Sequence, residues 1–235
     1  MKAVVIMPTY NEAENLPQMV EQLFSLGIEG LHLLVIDDNS PDGTGQLAED
    51  LAAQHSGYVE VVHRSGKLGL GTAYLLGFQR ALDRGADYII SMDADFSHPP
   101  QAVPIMLEKI KDYDVIIGSR YAPGGSIDER WGLRRRLLSS GGNWYARRIT
   151  GLPVHDATGG FKCFRREALA GLDLSRVKSD GYAFQVEVNY ACHQKGYRML
   201  EVPIHFQERI HGQSKMSLGI VVEAAWRVWE MRGRY

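Results

Sequence analysis

Between residues 3 and 118, short apolar runs alternate with segments whose apolar residues recur every three or four positions. Apolar runs bounded by Gly, Pro, Asp or Asn predict buried strands, and the longer period predicts amphipathic helices. The predicted strands cover residues 3–7, 31–36, 58–62, 88–92 and 115–117. The predicted helices carry Leu16, Val20, Leu23 and Phe24, then Leu47, Leu51 and Ala52, then Ala73, Leu75, Leu76 and Leu82, then Ile105, Met106 and Ile110. This alternation predicts an α/β fold, a mostly parallel Rossmann-like sheet with helices on both faces.

The pattern changes after residue 118. It predicts a helix over residues 131–149, a Gly-rich strand over 156–164, a helix through 187–192 and a strand over 198–206. There is no internal repeat and no low-complexity linker. We therefore expect one domain over residues 1–215, with halves 1–118 and 119–215, followed by an amphipathic helix in 216–235.

The last segment has two interpretations. Its apolar residues fall near one side of a helix: Leu218, Val221, Val222, Ala225, Trp226 and Trp229. A stripe of this kind is typical of a helix packed on its own core. The alternative is a helix in the lipid interface, where Trp is favoured and Arg meets anionic headgroups. The four tryptophans, Trp131, Trp144, Trp226 and Trp229, are candidates to flank a lipid chain, although core packing is an adequate explanation for each of them.

Composition narrows the class of protein. The chain has 235 residues, is 45% hydrophobic and 23% charged, and carries a formal net charge of -2, which argues against a nucleic-acid partner. Two cysteines within apolar patterns, Cys163 and Cys192, indicate a reducing, cytoplasmic compartment. The first apolar run is too short for a signal peptide, and no stretch reaches the roughly 18 to 20 apolar residues that span a bilayer. We expect a protein that is soluble or lies on a membrane surface.

Polar side chains follow four of the predicted strands. They belong to the segments PTYNE (8–12), DDNSPDGT (37–44), DADFSHP (93–99) and GSRY (118–121). Ligands of parallel α/β sheets bind beyond the carboxyl ends of the strands. Because four strand ends carry such groups, the sequence predicts a binding site at this edge.

Asp93 and Asp95 lie two residues apart where the fourth strand ends. Paired carboxylates repel each other unless a cation lies between them, and their hard oxygen atoms suit Mg²⁺ or Mn²⁺. A diphosphate is the natural second ligand of such an ion. The alternative is an acidic surface turn, and for an isolated Asp-x-Asp motif that alternative is common.

Other polar residues have structural and functional interpretations. Asp37 and Asp38 end a strand with no helix to cap, so either is a candidate for a ribose or base edge, whereas Asp42 and Thr44 suit the cap of the next helix. We interpret the loop over residues 66–71 as a helix entry whose backbone approaches a ligand, and the alternative is a simple turn. We interpret His98 and His155 as loop constraints and His205 as a structural residue of a strand.

These segments, followed by RxxGxSK at 209–215, resemble the dolichol-phosphate mannosyltransferase group of family 2 glycosyltransferases over nearly the whole chain. The segments at 8–12 and 93–99 are typical of the wider inverting family. Those at 37–44 and 209–215 are more particular to polyprenyl-phosphate sugar synthases. The resemblance implies a GT-A fold and the transfer of mannose, with inversion, from GDP-mannose to a polyprenyl monophosphate.

The resemblance also implies roles for individual residues. Positions that hold the nucleotide sugar are Pro8, Tyr10, Glu12, Asp38, Asp93 and Ala94. Positions that hold Mg²⁺ or Mn²⁺ are Asp93, Asp95 and Ser97, although some relatives have Gln in place of Ser97. Positions around the acceptor phosphate are Arg120, Arg135 and Ser139, and those that reach the donor phosphates are Arg209 and Lys215. Asp95, Arg120, Arg135, Arg209 and Lys215 would then be catalytic, with residues 1–118 as the nucleotide and metal half and 119–215 as the acceptor half.

The neighbouring basic and polar residues keep a simpler interpretation. Arg134 and Arg136 are expected on a solvated helix face, and Asp156 and Thr158 either contact the sugar or shape their loop. The resemblance also implies a protein that is peripheral on the cytoplasmic face of a membrane, with a small membrane-anchoring subunit as a further partner.

Two other functions stay open at this point. The same fold with UDP-glucose or another nucleotide sugar would carry the same phosphate and metal motifs. A non-catalytic nucleotide-binding protein would have no reason to keep all six of the charged residues assigned to the metal and the phosphates, namely Asp93, Asp95, Arg120, Arg135, Arg209 and Lys215.

Overall fold

The computed structural model describes residues 1–208 and 226–235. Within them, seven strands form one sheet in the order β3-β2-β1-β4-β7-β5-β8, and two short strands, β6 and β9, pair separately. The strands are β1 Ala3–Thr9, β2 Leu31–Asp37, β3 Val59–His63, β4 Tyr88–Ser91, β5 Val115–Ser119, β6 Ser126–Ile127, β7 Lys162–Arg165, β8 Met199–Pro203 and β9 His205–Phe206. In the large sheet only β7 runs antiparallel to its neighbours, β4 and β5. The predicted mostly parallel α/β sheet is confirmed.

Helices cover both faces of this sheet. They are α1 Leu16–Ser25, α2 Thr44–Gln54, α3 Leu70–Asp83, α4 Val103–Lys109, α5 Leu133–Thr150, α6 Arg166–Ala170 and α7 Gly181–Gln194, with short 3-10 helices at Pro100–Ala102 and Leu174–Arg176. Alternate residues of β1 belong to opposite cores: Ile6 packs with Phe78 of α3, whereas Met7 packs with Leu16 of α1. Residues buried on both faces produce the continuous apolar runs of the sequence.

Two predicted strands differ from the structure. Only the end of the Gly-rich segment is a strand, because Asp156 turns inward to bind Arg120 and the chain enters β7 at Lys162. The strand predicted over 198–206 is divided into β8 and β9, because β8 pairs with β5 whereas β9 turns away to pair with β6.

The tryptophans do not share one environment. Trp131 is buried, as expected, but Trp144, Trp226 and Trp229 are 65%, 72% and 52% exposed, so core packing is the wrong explanation for these three. The C-terminal residues pack on the core through Val228 and Met231. The expected boundary at residue 215 and residues 216–225 of the helix predicted in 216–235 lie outside the described residues.

Two further expectations concern compartment and membrane. Cys163 and Cys192 are both buried and free. None of the helices in the described part of the chain is long and apolar enough to span a bilayer.

Candidate active site

The carboxyl ends of β1, β2 and β4 lie side by side, tied by hydrogen bonds that continue past the strands. Asp38 N donates to Thr9 O at 3.0 Å, and Met92 N donates to Ile6 O at 3.1 Å. Pro8 is tolerated in the central strand β1 because β4 pairs with β1 only as far as Ile6, so the missing N–H interrupts no ladder with β4. The segments that the sequence places at strand ends therefore meet at one edge.

Strained backbone marks the same edge. Three non-glycine residues have positive φ: Asn11 at 61°, Asn39 at 55° and Phe96 at 63°. Each follows one of the strands β1, β2 and β4. Asn tolerates this region, but a phenylalanine there is costly and persists only where surrounding contacts fix it. Phe96 allows Asp95 Oδ1 to accept a hydrogen bond from Ser97 N at 3.0 Å.

The predicted nucleotide residues lie beside two basic residues that the sequence reasoning missed. Lys67 Nζ lies 4.2 Å from the ring centroid of Tyr10, and Arg64 Nη1 lies 2.8 Å from Asp38 Oδ1. Asp38 Oδ2 also accepts a hydrogen bond from Leu68 N at 3.1 Å. Burial raises the pKa of Asp38 above its usual value, although Arg64 opposes that shift. The sequence signal for these two basic residues was their position in the segment that follows the third strand, close to the loop over residues 66–71.

Asp37, one of the two candidates for a ribose or base edge, has a structural role. Its carboxylate accepts hydrogen bonds from Thr9 Oγ1 at 3.1 Å and from Ser40 N and Oγ at 3.1 and 2.6 Å. These bonds hold the ends of β1 and β2 together. Asp38, by contrast, binds the 64–68 loop, and Lys67 of that loop lies over the ring of Tyr10.

Asp42 caps α2 as expected, because its Oδ1 accepts from Thr44 N, the first N–H of the helix, at 3.1 Å. The N-cap residue itself is Gly43, at φ 90°, and Thr44 is the first helical residue rather than a cap. Asp42 also accepts from Ala13 N at 3.1 Å, and Thr44 Oγ1 accepts from Glu12 N at 2.9 Å. These bonds fix the segment that carries Glu12 against the 37–44 loop.

Two glycines of the 66–71 loop, Gly69 and Gly71, allow the close approach of Asp180. Gly69 has φ 101°, and a Cβ there would lie 2.1 Å from Asp180 Oδ2. Gly71 N donates to Asp180 Oδ1 at 2.7 Å. Asp180 holds the loop at the start of α3, as the helix-entry interpretation predicts, and the approach of a ligand to this loop stays a prediction.

The carboxylates of residues 93–97, which we call the DAD turn, suit a divalent cation. Tyr74 donates its hydroxyl to Asp93 Oδ1 at 2.6 Å, which orients the carboxylate and leaves Oδ2 for a ligand. Burial raises the pKa of Tyr74 well above its usual value, and the charge of Asp93 raises it further, so the phenol stays a donor. Ala94, Asp95 and Ser97 are buried in the same turn.

Hard oxygen donors of this kind fit Mg²⁺ or Mn²⁺. The described residues contain no group of three or more His, Cys, Asp or Glu placed to hold a metal ion. Two protein carboxylates are the usual share for an ion that is completed by substrate phosphates and water.

His98 fixes this turn, as expected for a loop constraint. Its Nδ1 accepts the backbone N–H of Asp93 at 2.9 Å, and its ring stacks on Phe161 with centroids 5.1 Å apart. Burial lowers the pKa of His98 below its usual value, so the ring is held neutral as an acceptor. A neutral, buried imidazole that already accepts a hydrogen bond is a structural residue.

Arg120 is held by a buried carboxylate. Arg120 Nε and Nη2 donate to Asp156 Oδ2 and Oδ1, each at 2.7 Å, and Nη2 also donates to Thr158 Oγ1 at 2.8 Å. The two charged side chains are 8% and 0% exposed. Burial opposes ionisation of both groups, but their mutual attraction outweighs it, which raises the pKa of Arg120 and lowers that of Asp156. Of the alternatives for Asp156, the structure shows a residue that shapes its loop and fixes Arg120.

Aromatic rings connect Arg120 with Arg135. The Phe206 ring centroid lies 5.1 Å from Arg120 Cζ and 5.5 Å from the Trp131 ring, and Arg135 Cζ lies 3.8 Å from the Trp131 ring centroid. Phe206 also contacts His98 edge-on, with centroids 6.0 Å apart. One aromatic cluster therefore joins the DAD turn to both arginines.

Ser139 lies near Arg120 and Arg135, and we call these three residues the acceptor wall. Its Oγ lies 2.8 Å from the Tyr121 hydroxyl, and Arg120 Cζ lies 5.3 Å from the Tyr121 ring centroid. Arg135 and Ser139 are one helical turn apart on α5, which places both on one side of that helix. The three predicted acceptor residues are thus brought together.

Arg136, which the sequence analysis places on a solvated helix face, also has a structural role. It donates to the carbonyl oxygens of Trp131, Asp128 and Glu129 and so fixes the turn before α5.

Lys162 is a buried charged residue that the sequence analysis did not identify. It is fully buried, with Nζ donating to Gly159 O at 2.6 Å, and burial lowers its pKa to about 7. A lysine inside an apolar strand was the only sequence signal for it.

Arg209 and Lys215, expected at the donor phosphates, lie outside the described residues.

The comparisons with known proteins agree with one family. The family described as glycosyl transferase family 2 matches residues 4–172. The polyprenol monophosphomannose synthase of Mycolicibacterium smegmatis is 45% identical over 236 residues, which cover 99% of this chain and 88% of that protein. The undecaprenyl-phosphate mannosyltransferase of Micrococcus luteus is 43% identical over 237 residues, which cover 100% of this chain and 96% of that protein.

Among solved structures, glucosyl-3-phosphoglycerate synthase from Mycobacterium tuberculosis, in complex with Mn²⁺, UDP and glucosyl-3-phosphoglycerate, superposes with a TM-score of 0.62 at 18% identity. That match covers 99% of this chain and 79% of the synthase, and it supports the GT-A fold. The parallel sheet, the acidic turn at its edge and the extent of these matches lead to one conclusion: the chain is a member of glycosyltransferase family 2.

Proposed function

We propose that this chain is an inverting mannosyltransferase that moves mannose from GDP-mannose to a polyprenyl monophosphate. The products are polyprenyl phosphate mannose and GDP. The observation that carries the proposal is the wall of Arg120, Arg135 and Ser139, which the aromatic cluster around Phe206 joins to the DAD turn. The names of both relatives, a phosphomannose synthase and a mannosyltransferase, support the sugar and the lipid phosphate.

The donor half is the edge formed by β1, β2 and β4. In the proposal, Pro8, Tyr10, Glu12 and Asp38 hold the nucleoside, and Asp93, Asp95 and Ser97 hold Mg²⁺ or Mn²⁺ at its diphosphate. The bound cation supplies positive charge at the oxygen that becomes negative as the bond from the sugar to the diphosphate breaks. Tyr74 and His98 fix the acidic turn, so that its carboxylates need no rearrangement when the nucleotide arrives.

The acceptor half needs to position an anion rather than activate an alcohol. A phosphate monoester has a second pKa of about 6, so its oxygen is already a nucleophile near neutral pH. In the described part of the chain, the acidic and imidazole side chains around this wall already have structural partners. They are Asp93 with Tyr74, Asp95 with Ser97, Asp128 with Arg130, Asp156 with Arg120, Glu208 with Arg135, and His98 with the Asp93 amide. The acceptor oxygen forms its bond to the anomeric carbon of mannose as the bond to the GDP oxygen breaks, and GDP takes the electron pair.

The surface around α5 suits a lipid acceptor. Leu133, Leu137 and Trp144 are 73%, 62% and 65% exposed and fall within about 40° of one another around the helix. This apolar strip lies on the side of α5 opposite Arg135 and Ser139, so in the proposal it rests on the bilayer from which the prenyl phosphate is taken. We place the protein peripherally on the cytoplasmic face of a membrane, which agrees with its free, buried cysteines. The proposal includes no membrane-anchoring subunit, because no feature of the described residues supports that expectation.

The test is a transfer assay with radiolabelled GDP-mannose, UDP-glucose and UDP-GlcNAc against a short polyprenyl phosphate, with Mn²⁺ or EDTA. We expect labelled lipid from GDP-mannose alone, and none with EDTA. Product from a UDP sugar would overturn the donor assignment. Full activity after chelation would overturn the metal assignment, and the absence of product from every donor would overturn the enzymatic proposal.

A further inference from the structure

Arg135, expected at the acceptor phosphate, is already paired with a carboxylate. Both carboxylate oxygens of Glu208 lie 2.5 Å from Arg135 Nη1. Glu208 was not among the residues that the motifs single out, although it directly precedes Arg209. The arginine that is to bind an anionic substrate therefore has an internal anionic ligand.

This ion pair differs from the one that fixes Arg120. Asp156 engages two nitrogen atoms of Arg120, and both side chains are nearly inaccessible. Glu208 engages one nitrogen of Arg135, and the two side chains are 24% and 26% exposed. A buried, two-nitrogen pair is expensive to break, whereas a partly exposed, single-nitrogen pair contributes little stability and exchanges readily.

The contacts around Arg135 hold it in place independently of Glu208. Its guanidinium lies over the Trp131 ring, with 3.8 Å from Cζ to the centroid. Trp131 is buried and packs edge-on against Phe206. The ring therefore keeps the guanidinium in the acceptor wall when its anionic ligand changes.

A backbone hydrogen bond holds Glu208 beside Arg135. Glu208 N donates to Asp128 Oδ2 at 2.9 Å, and Asp128 also binds Arg130 through Nη2 at 2.6 Å. Hydrogen bonds from Arg130 and from Glu208 N lower the pKa of Asp128, so it remains a charged acceptor near neutral pH. The start of the chain after β9 is thus anchored where Glu208 reaches Arg135.

We propose that Glu208 occupies the acceptor-phosphate position on Arg135 in the absence of lipid, and that the incoming phosphate displaces it. This inference rests on the proposed function, because it names an internal competitor for the same substrate. A phosphate monoester carries a charge of about −1.5 to −2 at pH 7 and presents several oxygen atoms to the arginine fork, so it can replace a single carboxylate. Glu208 thereby raises the KM for the acceptor and leaves donor binding unchanged.

The experiment measures steady-state transfer by the full chain with GDP-mannose, Mn²⁺ and a short polyprenyl phosphate. The variants are Glu208→Gln, which removes the charge, and Glu208→Asp, which keeps the charge but withdraws it by one methylene. Glu129→Gln is the matched control, because it removes an exposed carboxylate from the same turn as Trp131.

We expect Glu208→Gln and Glu208→Asp to lower the acceptor KM about two- to fivefold, with the KM for GDP-mannose unchanged. The control should retain the wild-type KM. A KM that is unchanged or raised in both Glu208 variants, or lowered equally by Glu129→Gln, would overturn the inference while wild-type transfer upholds the proposed function. A wild-type chain that transfers nothing to polyprenyl phosphates would overturn both.

Discussion

The buried pair of Arg120 and Asp156 gives the sharpest test of how the acceptor wall is built. In Asp156→Asn the side chain keeps its size but loses the charge opposite a guanidinium that is only 8% exposed. Removing one partner of a buried pair costs about 3–5 kcal/mol of unfolding free energy, and we expect the lower end because the amide can still accept one hydrogen bond. For a chain of this length, a loss of about 3 kcal/mol lowers Tm by about 6–12 °C.

Thermal unfolding of the wild type, Asp156→Asn and Asp83→Asn measures this effect. Asp83 is an exposed aspartate at the end of α3, so the same chemical change there should alter the unfolding free energy by no more than about 0.5 kcal/mol. Equal Tm values for Asp156→Asn and the control would refute the view that this carboxylate holds Arg120.

The same variant predicts a dependence on pH. Burial alone would raise the pKa of Asp156, but Arg120 more than offsets it, so the pKa is lower in the folded than in the unfolded chain. The stabilisation is therefore present above the unfolded pKa of about 4 and is lost as the pH falls through the folded value. The difference in unfolding free energy between the wild type and Asp156→Asn should be constant near neutral pH and shrink in acid, and growth of that difference in acid would contradict the assignment.

Three further predictions follow from the site. Tyr74→Phe removes the hydroxyl that orients Asp93 and should weaken Mn²⁺-dependent GDP binding about tenfold by calorimetry, as expected for a group that positions a metal ligand. Arg135→Ala should abolish transfer to the lipid, with GDP-mannose affinity by calorimetry close to wild type, because Arg135 lies on the acceptor wall. Leu133→Ser combined with Leu137→Ser should reduce flotation with anionic liposomes, while transfer to a short, water-soluble acceptor is retained.

Each of these predictions has a result that contradicts it. Unchanged GDP affinity in Tyr74→Phe would show that the orientation of Asp93 is irrelevant to the cation. Equal losses of donor binding and transfer in Arg135→Ala would remove its assignment to the acceptor. For the membrane prediction, Ile105→Ser is the control, since Ile105 is 47% exposed on α4, and equal flotation of the double variant and this control would exclude the α5 strip.

The sequence was sufficient for the parts of this protein that depend on local pattern. Strands buried on both faces give uninterrupted apolar runs, so β1, β2 and β5 were recognisable, and their order along the chain predicted a parallel sheet. The position of the acidic turn at Asp93 and Asp95 followed, because the carboxyl ends of such strands meet at one edge.

The remaining features depend on contacts between distant segments. The antiparallel insertion of β7 between β4 and β5 has no periodic signature. Asp156 lies in the Gly-rich run that the sequence predicts as a strand, but its pairing with Arg120, 36 residues away, keeps it out of the sheet. Trp144 has the local pattern of a core residue, and only the assembled fold shows that its side of α5 is left exposed.

The central claim is that Asp93 and Asp95 hold a divalent cation against the donor diphosphate, beside an arginine wall that holds the acceptor phosphate. Its most direct test is the anomalous scattering of Mn²⁺ in crystals soaked with GDP-mannose and a short polyprenyl phosphate. We expect a manganese peak in contact with carboxylate oxygens of Asp93 and Asp95 and with the diphosphate, and lipid phosphate density on Arg135. Nucleotide bound without manganese at these aspartates, or lipid phosphate bound away from Arg135, would contradict it.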